Sequence, residues 1–147
     1  MDGCLACDLA EGRIELPGGR IGETAGWIVE HTVGPLSLGT LIVKPKRHVV
    51  HVADLTHDEA SELGPLLRRT CKIVTTLTSP EQVYVTLWSH AGAIPGHIHF
   101  VVQPVTRGDM EAVGDYGPRL QVRMFERNLG PSVEDVESIC TKARNFF

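Results

Sequence analysis

Four short runs rich in β-branched and aromatic residues share the chain with longer stretches of helical spacing. Trp27-Ile28-Val29-Glu30-His31 reads as a strand, and Thr40-Leu41-Ile42-Val43-Lys44 as a second, stopped by Pro45. The turn Gly34-Pro35-Leu36-Ser37-Leu38-Gly39 joins them. Val83-Tyr84-Val85-Thr86-Leu87-Trp88 and His97-Ile98-His99-Phe100-Val101-Val102 make a third and a fourth. A tight loop holding Ser89, His90, Ala91, Gly92, Pro95 and Gly96 brings these two together as an antiparallel pair. Residues 13–26 are rich in Gly, carry Pro17, and read as loop with room for one short strand.

Thr56-His57-Asp58-Glu59 is a capping box: Thr56 can accept from the Glu59 amide while Glu59 reaches back. Behind it Ala60, Leu63, Leu66, Leu67, Cys71, Val74 and Leu77 predict a helix over 57–77. Residues 105–130 are broken by Gly108, Gly114, Gly117-Pro118 and Gly130-Pro131, with a short helix near 116–127. Ser132 caps a last helix whose stripe is Val133, Val136, Ile139, Cys140 and Ala143. The sum is an α+β fold: an antiparallel sheet of about five strands, a long helix packed on it, and a C-terminal helix.

The 147 residues are expected to form one domain, 1–147, large enough for a sizeable core. A net charge of −4 with interspersed signs gives no broad basic footprint for a nucleic acid polymer. The one basic cluster, Lys44-Pro45-Lys46-Arg47-His48, reads as a solvated strand end that can locally hold a phosphate. No apolar run reaches the ~20 residues of a bilayer span. The start of the chain lacks the basic-then-apolar pattern of a signal peptide. A cytoplasmic location with no membrane partner is the expectation. Cysteines stay reduced there, so Cys4-Leu5-Ala6-Cys7 reads as metal-binding or redox, not as a disulfide. The redox reading lacks a strand-Cys-x-x-Cys-helix context. Cys71 and Cys140 fall in helical patterns as small buried hydrophobes.

The chemistry concentrates in Pro95-Gly96-His97-Ile98-His99-Phe100-Val101-Val102-Gln103-Pro104. Strand side chains alternate faces, so His97, His99, Val101 and Gln103 share one. Cys4 and Cys7 have the spacing with which two thiolates chelate one tetrahedral ion, and His48 and His97 are candidates to complete it. Zinc suits that mixed donor set and would tie an N-terminal hairpin to the sheet. With His97 turned to a metal or a backbone carbonyl, His99 faces the open side. A neutral imidazole there can attack phosphorus and form a covalent intermediate that water cleaves. Amides of Ser89-His90-Ala91-Gly92 can stabilise the developing charge, and Gly92 and Gly96 permit close approach. His31, His51 and His57 read as surface residues, Trp88 and Phe100 as core, and Tyr84 as packed.

These residues resemble the histidine triad (HIT) family of nucleotide hydrolases and transferases, whose motif is His-φ-His-φ-His-φ-φ after Ala-Gly-Gln and before a proline. Ala91-Gly92 and Pro104 set the register, so His97 takes the first histidine position and His99 the second. Cys4-Leu5-Ala6-Cys7-Asp8-Leu9-Ala10-Glu11-Gly12 resembles the Cys-x-x-Cys opening of many bacterial members. Gly39 through Val49 resembles their Gly-His-x-Leu-φ-φ-Pro-Lys-x-His-φ block, and Asp54-Leu55-Thr56 opens the long helix at the matching place. The resemblance covers residues 4–104 and leaves 105–147 as a C-terminal extension. It implies a HIT-like fold, a homodimer and a nucleoside phosphate substrate such as a phosphoramidate or dinucleoside polyphosphate. It implies His99 as nucleophile on the α-phosphorus, and Cys4, Cys7, His48 and His97 as ligands of a structural zinc.

The departures from that pattern are specific. Val101 holds the third histidine position, Thr40 stands where a histidine follows Gly39, and Ala93 replaces the glutamine. Thr32 occupies the nucleotide-contacting Asp or Asn position by simple counting. Losing a preorganised donor to an oxyanion costs ~10²–10³-fold in rate. Candidate substrate contacts are therefore His90, Gly92, Gln103 and Thr40, with His51 and Lys44 as further replacements and His90 favoured. Gln103 sits a further ~7 Å along the strand. Two functions follow: a nucleotidyl hydrolase or transferase, or a zinc-stabilised nucleotide-binding protein with weak or no catalysis.

Overall fold

A computed structural model describes residues 3–91 and 94–147. Five strands, β1 (Arg20–Glu23), β2 (Trp27–His31), β3 (Leu41–Pro45), β4 (Gln82–Ala91) and β5 (Ile94–Val105), form one sheet in the order β1-β2-β3-β5-β4. Every neighbouring pair is antiparallel. Among the described residues, five α-helices accompany it: α1 (Leu5–Ala10), α2 (His57–Thr78), α3 (Arg107–Val113), α4 (Gly117–Arg127) and α5 (Val133–Arg144). The α+β expectation and the count of about five strands are borne out. No described helix is long and apolar enough to cross a membrane.

Strand alternation divides the sheet. One face presents Trp27, Val29, Leu41, Val43 and Val102 to Leu66, Ile73 and Val74 of α2 and to Val136, Cys140 and Ala143 of α5. That cluster is the main core. On the other face one row crosses all five strands, Arg20–Glu30–Ile42–Val101–Thr86, each directly opposite the next. His99 lies one step along on this face, with Trp88 across from it on β4. Leu36, Ile42 and Val101 are buried here against Trp88 and Met124 of α4. Phe125 of α4 stacks on Trp88 with ring centroids 4.9 Å apart. The two ends of this face therefore differ: α4 covers the Val101 end, and α1 with its following loop borders the Glu30 end.

The long helix begins where the capping box placed it. Thr56 accepts from the Glu59 amide, and Glu59 takes the Thr56 amide in return. Arg47 grips the same carboxylate with Nε on Oε1 and Nη2 on Oε2, both at 2.7 Å. The turn before β3 needs Gly39, whose φ is +86° and where a Cβ would meet Thr78 Cγ2 at 2.7 Å.

Three local readings need correction. The Cys-x-x-Cys segment is a short helix, α1, with Cys4 as its N-cap, not a hairpin. Residues 107–113 form α3, whose own capping box joins Thr106 and Asp109. Ser89 and His90 belong to β4, because the β4–β5 ladder runs on past a register shift between Trp88 and His90 as far as Ala91 opposite Ile94.

The Arg47 fork, and then the Thr56 amide, hold the Glu59 carboxyl down at about 2 from its ordinary 4.5. A depressed folded-state value stabilises the fold above the ordinary carboxylate range, and that contribution is lost as pH falls through the folded value. Glu59→Gln keeps a capping group but loses the ion pair, so it lowers stability by about 1 kcal/mol at neutral pH. The gap to wild type shrinks as pH drops below 4.5. Urea denaturation at neutral pH and at about pH 3 measures both.

Candidate metal centre and reactive face

Cys4, Cys7, His48 and His97 converge, with one donor atom from each lying within 4.8 Å of the others. Each arrives by a separate local cause. Cys4 and Cys7 flank the first turn of α1. His48 follows β3, and the Ile98 amide donating to the Val49 carbonyl at 2.8 Å pins that segment to β5. His97 belongs to β5 and is buried. Its Nε2 lies 3.0 Å from the Pro45 carbonyl, which can only accept. The proton is thus on Nε2, and the Nδ1 lone pair faces the cluster. Cys7 Sγ is 3.4 Å from His48 Nδ1 and 3.5 Å from His97 Nδ1, and Cys4 Sγ is 4.0 Å from His97 Nδ1. A tetrahedral zinc with ordinary Zn–S and Zn–N lengths sets such sulfur–nitrogen pairs about 3.6 Å apart. The donor set is compatible with zinc. Burial, and then the neighbouring His48, push His97 down to about 4, so its imidazole is neutral and available as a ligand near neutral pH.

His99 is half-buried on the same face. Its Nδ1 lies 3.1 Å from the His97 carbonyl, which fixes the proton there and leaves Nε2 with its lone pair. Burial and the Lys44 ammonium push the imidazole below its ordinary value, against the pull of that hydrogen bond. Continuing the β3–β5 register, in which Ile42 faces Val101, sets Lys44 beside His99. The Lys44 ammonium is buried. It donates to Glu30 Oε1 at 2.5 Å and to the Ala6 carbonyl at 2.9 Å. The expectation that Lys44 is part of a solvated strand end is therefore overturned: β2 and α1 close over it.

The candidate contact residues take different places. Thr40 is buried, and its hydroxyl donates to the Ser37 carbonyl at 2.6 Å, closing the turn into β3. Gln103 is buried; its amide nitrogen meets Ser37 Oγ and Met124 Sδ, and its oxygen accepts from Gln121 at 2.9 Å. His90 is exposed opposite Pro95, whereas Trp88 faces His99. Gly92 lies outside the described residues. Thr32 Oγ1 accepts from the Gly34 amide.

His31, read as a surface residue, is buried. Its Nδ1–H donates to the Thr32 carbonyl at 2.8 Å, and the Gly39 amide donates to Nε2 at 2.9 Å. It staples the two ends of the β2–β3 connection. Sequence reasoning also missed the Glu30–Lys44 pair. Their signal was two opposite charges inside otherwise apolar strand runs.

No protein-family model matches the chain. Adenosine 5'-monophosphoramidase hnt1 of Schizosaccharomyces pombe is 27% identical over 104 residues, covering 69% of this chain and 73% of that protein. The crystal structure of a HIT-like protein from Bartonella henselae superposes with a TM-score of 0.72 at 16% identity, over 100% of this chain and 98% of its own. A zinc-bound histidine triad family protein from Mycobacterium smegmatis gives 0.69 at 18% identity, over 97% and 94%. The fold is the histidine triad fold. The HIT-like fold expected from the four sequence blocks is borne out.

Truncating one partner of a buried ion pair strands the other charge, at about 3–5 kcal/mol. Lys44→Met is expected to destabilise the protein by that order. Adding Glu30→Leu is expected to restore much of the loss. Denaturant midpoints of the single and double variants measure the difference.

Proposed function

We propose that this protein is a nucleotide hydrolase or nucleotidyltransferase acting at the α-phosphorus of a nucleoside phosphoramidate or dinucleoside polyphosphate. The observation that carries the reading is His99: a half-buried imidazole whose tautomer is fixed by the His97 carbonyl, with Nε2 left as the nucleophilic atom. Nε2 bonds to phosphorus as the bond to the leaving group breaks. Water or another acceptor then attacks phosphorus and releases the imidazole. The fold and the phosphoramidase name of its S. pombe relative support this reading.

Cys4, Cys7, His48 and His97 would hold a structural zinc. Four protein ligands leave no open coordination position, so its contribution is to fasten α1 to β5 and fix the strand that carries His99. A homodimer is part of the proposal. The edge strand β4 exposes Val85 and Leu87, apolar side chains that a second copy can cover. The four cysteines are free thiols, which fits a reducing compartment such as the cytoplasm.

A second reading, a zinc-stabilised nucleotide-binding protein without turnover, is favoured by Val101. That side chain is buried against Leu36 and Ile42 and brings no donor to a phosphate.

Intact-protein mass after rapid quench with an adenylyl phosphoramidate separates the two. A nucleotidyl adduct on wild type and none on His99→Ala is the expected result. Full turnover by His99→Ala would sink the enzymatic reading, and binding without adduct or turnover in wild type would establish the second. For the metal, elemental analysis is expected to find about one zinc per chain. Cys7→Ser is expected to lose the metal and unfold at lower temperature than wild type.

A further inference from the structure

His99 has four neighbours on its face of the sheet, and three of them are closed off. Along β5, His97 belongs to the metal cluster, and Val101 is buried against Leu36 and Ile42 where α4 covers the face. On β3, Lys44 is fully buried, and its bond to the Ala6 carbonyl sets α1 over it. The fourth neighbour is Trp88, directly opposite His99 on β4, the edge strand of the sheet. Trp88 is half-buried and keeps part of its surface in solvent.

The indole is held in one orientation. Its Nε1–H donates to Thr86 Oγ1 at 3.1 Å, and Phe125 of α4 backs the ring with centroids 4.9 Å apart. Directly opposite side chains of an antiparallel pair have Cβ atoms about 5 Å apart, so the ring stands next to the imidazole. A fixed, partly open aromatic ring offers a flat surface that loses little freedom when a ligand covers it.

The geometry of displacement at phosphorus selects which part of a nucleotide meets that ring. Strand side chains stand roughly perpendicular to the sheet, so Nε2 attacks from the sheet outward. Attacking and leaving atoms lie in line across phosphorus, which sends the leaving group away from the sheet. The ester oxygen of the nucleoside lies in the plane between them, so the nucleoside runs alongside the sheet. Among the described residues, the direction left to it is over β4 and Trp88.

We propose that Trp88 is a substrate-binding residue on which the base of the nucleotide stacks. This rests on the nucleotide reading above. Every base has a π-face, so the platform holds a base without choosing strongly among them.

Calorimetric titration of wild type, Trp88→Phe and Trp88→Leu with AMP and with ribose 5-phosphate, which lacks the base, tests the proposal. Wild type is expected to bind AMP at least about tenfold tighter than ribose 5-phosphate. Trp88→Leu is expected to lose that difference, and Trp88→Phe to keep most of it. AMP is also expected to quench the Trp88 emission. Trp27, fully buried with its Nε1–H on the Glu59 carbonyl, supplies a constant background. AMP bound by wild type without quenching, or with an affinity unchanged in Trp88→Leu, overturns the proposal and leaves the nucleotide reading intact. Failure of wild type to bind AMP overturns both. Near-ultraviolet circular dichroism checks that the variants fold. Should Trp88→Leu not fold, the wild-type quench decides alone.

Discussion

Lys44 brings an ammonium into the interior of the reactive face, and a charge removed from water costs several kcal/mol unless the chain around it supplies partners. Two elements supply them here. Glu30 comes from β2, and the Ala6 carbonyl comes from α1. Ala6 lies between Cys4 and Cys7, so the bond that satisfies the ammonium also sets where the two thiols sit above the sheet. The same charge helps hold His99 in its neutral form. The seating of α1, the placement of the Glu30 carboxylate and the state of the His99 imidazole thus share one constraint. Through the Ala6 carbonyl, the buried Lys44 ties the N-terminal segment to β3.

What the sequence made legible followed from local rules. Strand runs, the Thr56–Glu59 capping box, the Ser132 cap and the His97/His99 alternation depend on neighbours within a few residues, and each appears where expected. The metal cluster was also within reach, because Cys-x-x-Cys and the two histidines are donor types with one obvious use. The six-residue α1 carries too few turns to show a helical period. The α3 helix was missed although Thr106 and Asp109 spell its cap, since the surrounding glycines read as loop. The largest misses, His31 and Lys44, are polar groups in strands. Whether such a group is buried depends on partners supplied by distant segments, and Gly39, Glu30 and Ala6 cannot be matched to them by periodicity.

The C-terminal extension bears on which way a ligand can lie. Met124 and Leu120 are packed where α4 meets the sheet, and Gln121 bonds to Gln103 and Thr86. Trp88 adds its own bond to Thr86. This network fills the face beyond Val101, so the position that lacks a histidine lies beneath protein and not against solvent. A phosphate bound at His99 cannot extend toward Gln103 without displacing α4. With an apolar, buried Val101 two residues from His99, direct detection of an adduct on that imidazole carries more weight than affinity in deciding whether the protein turns over.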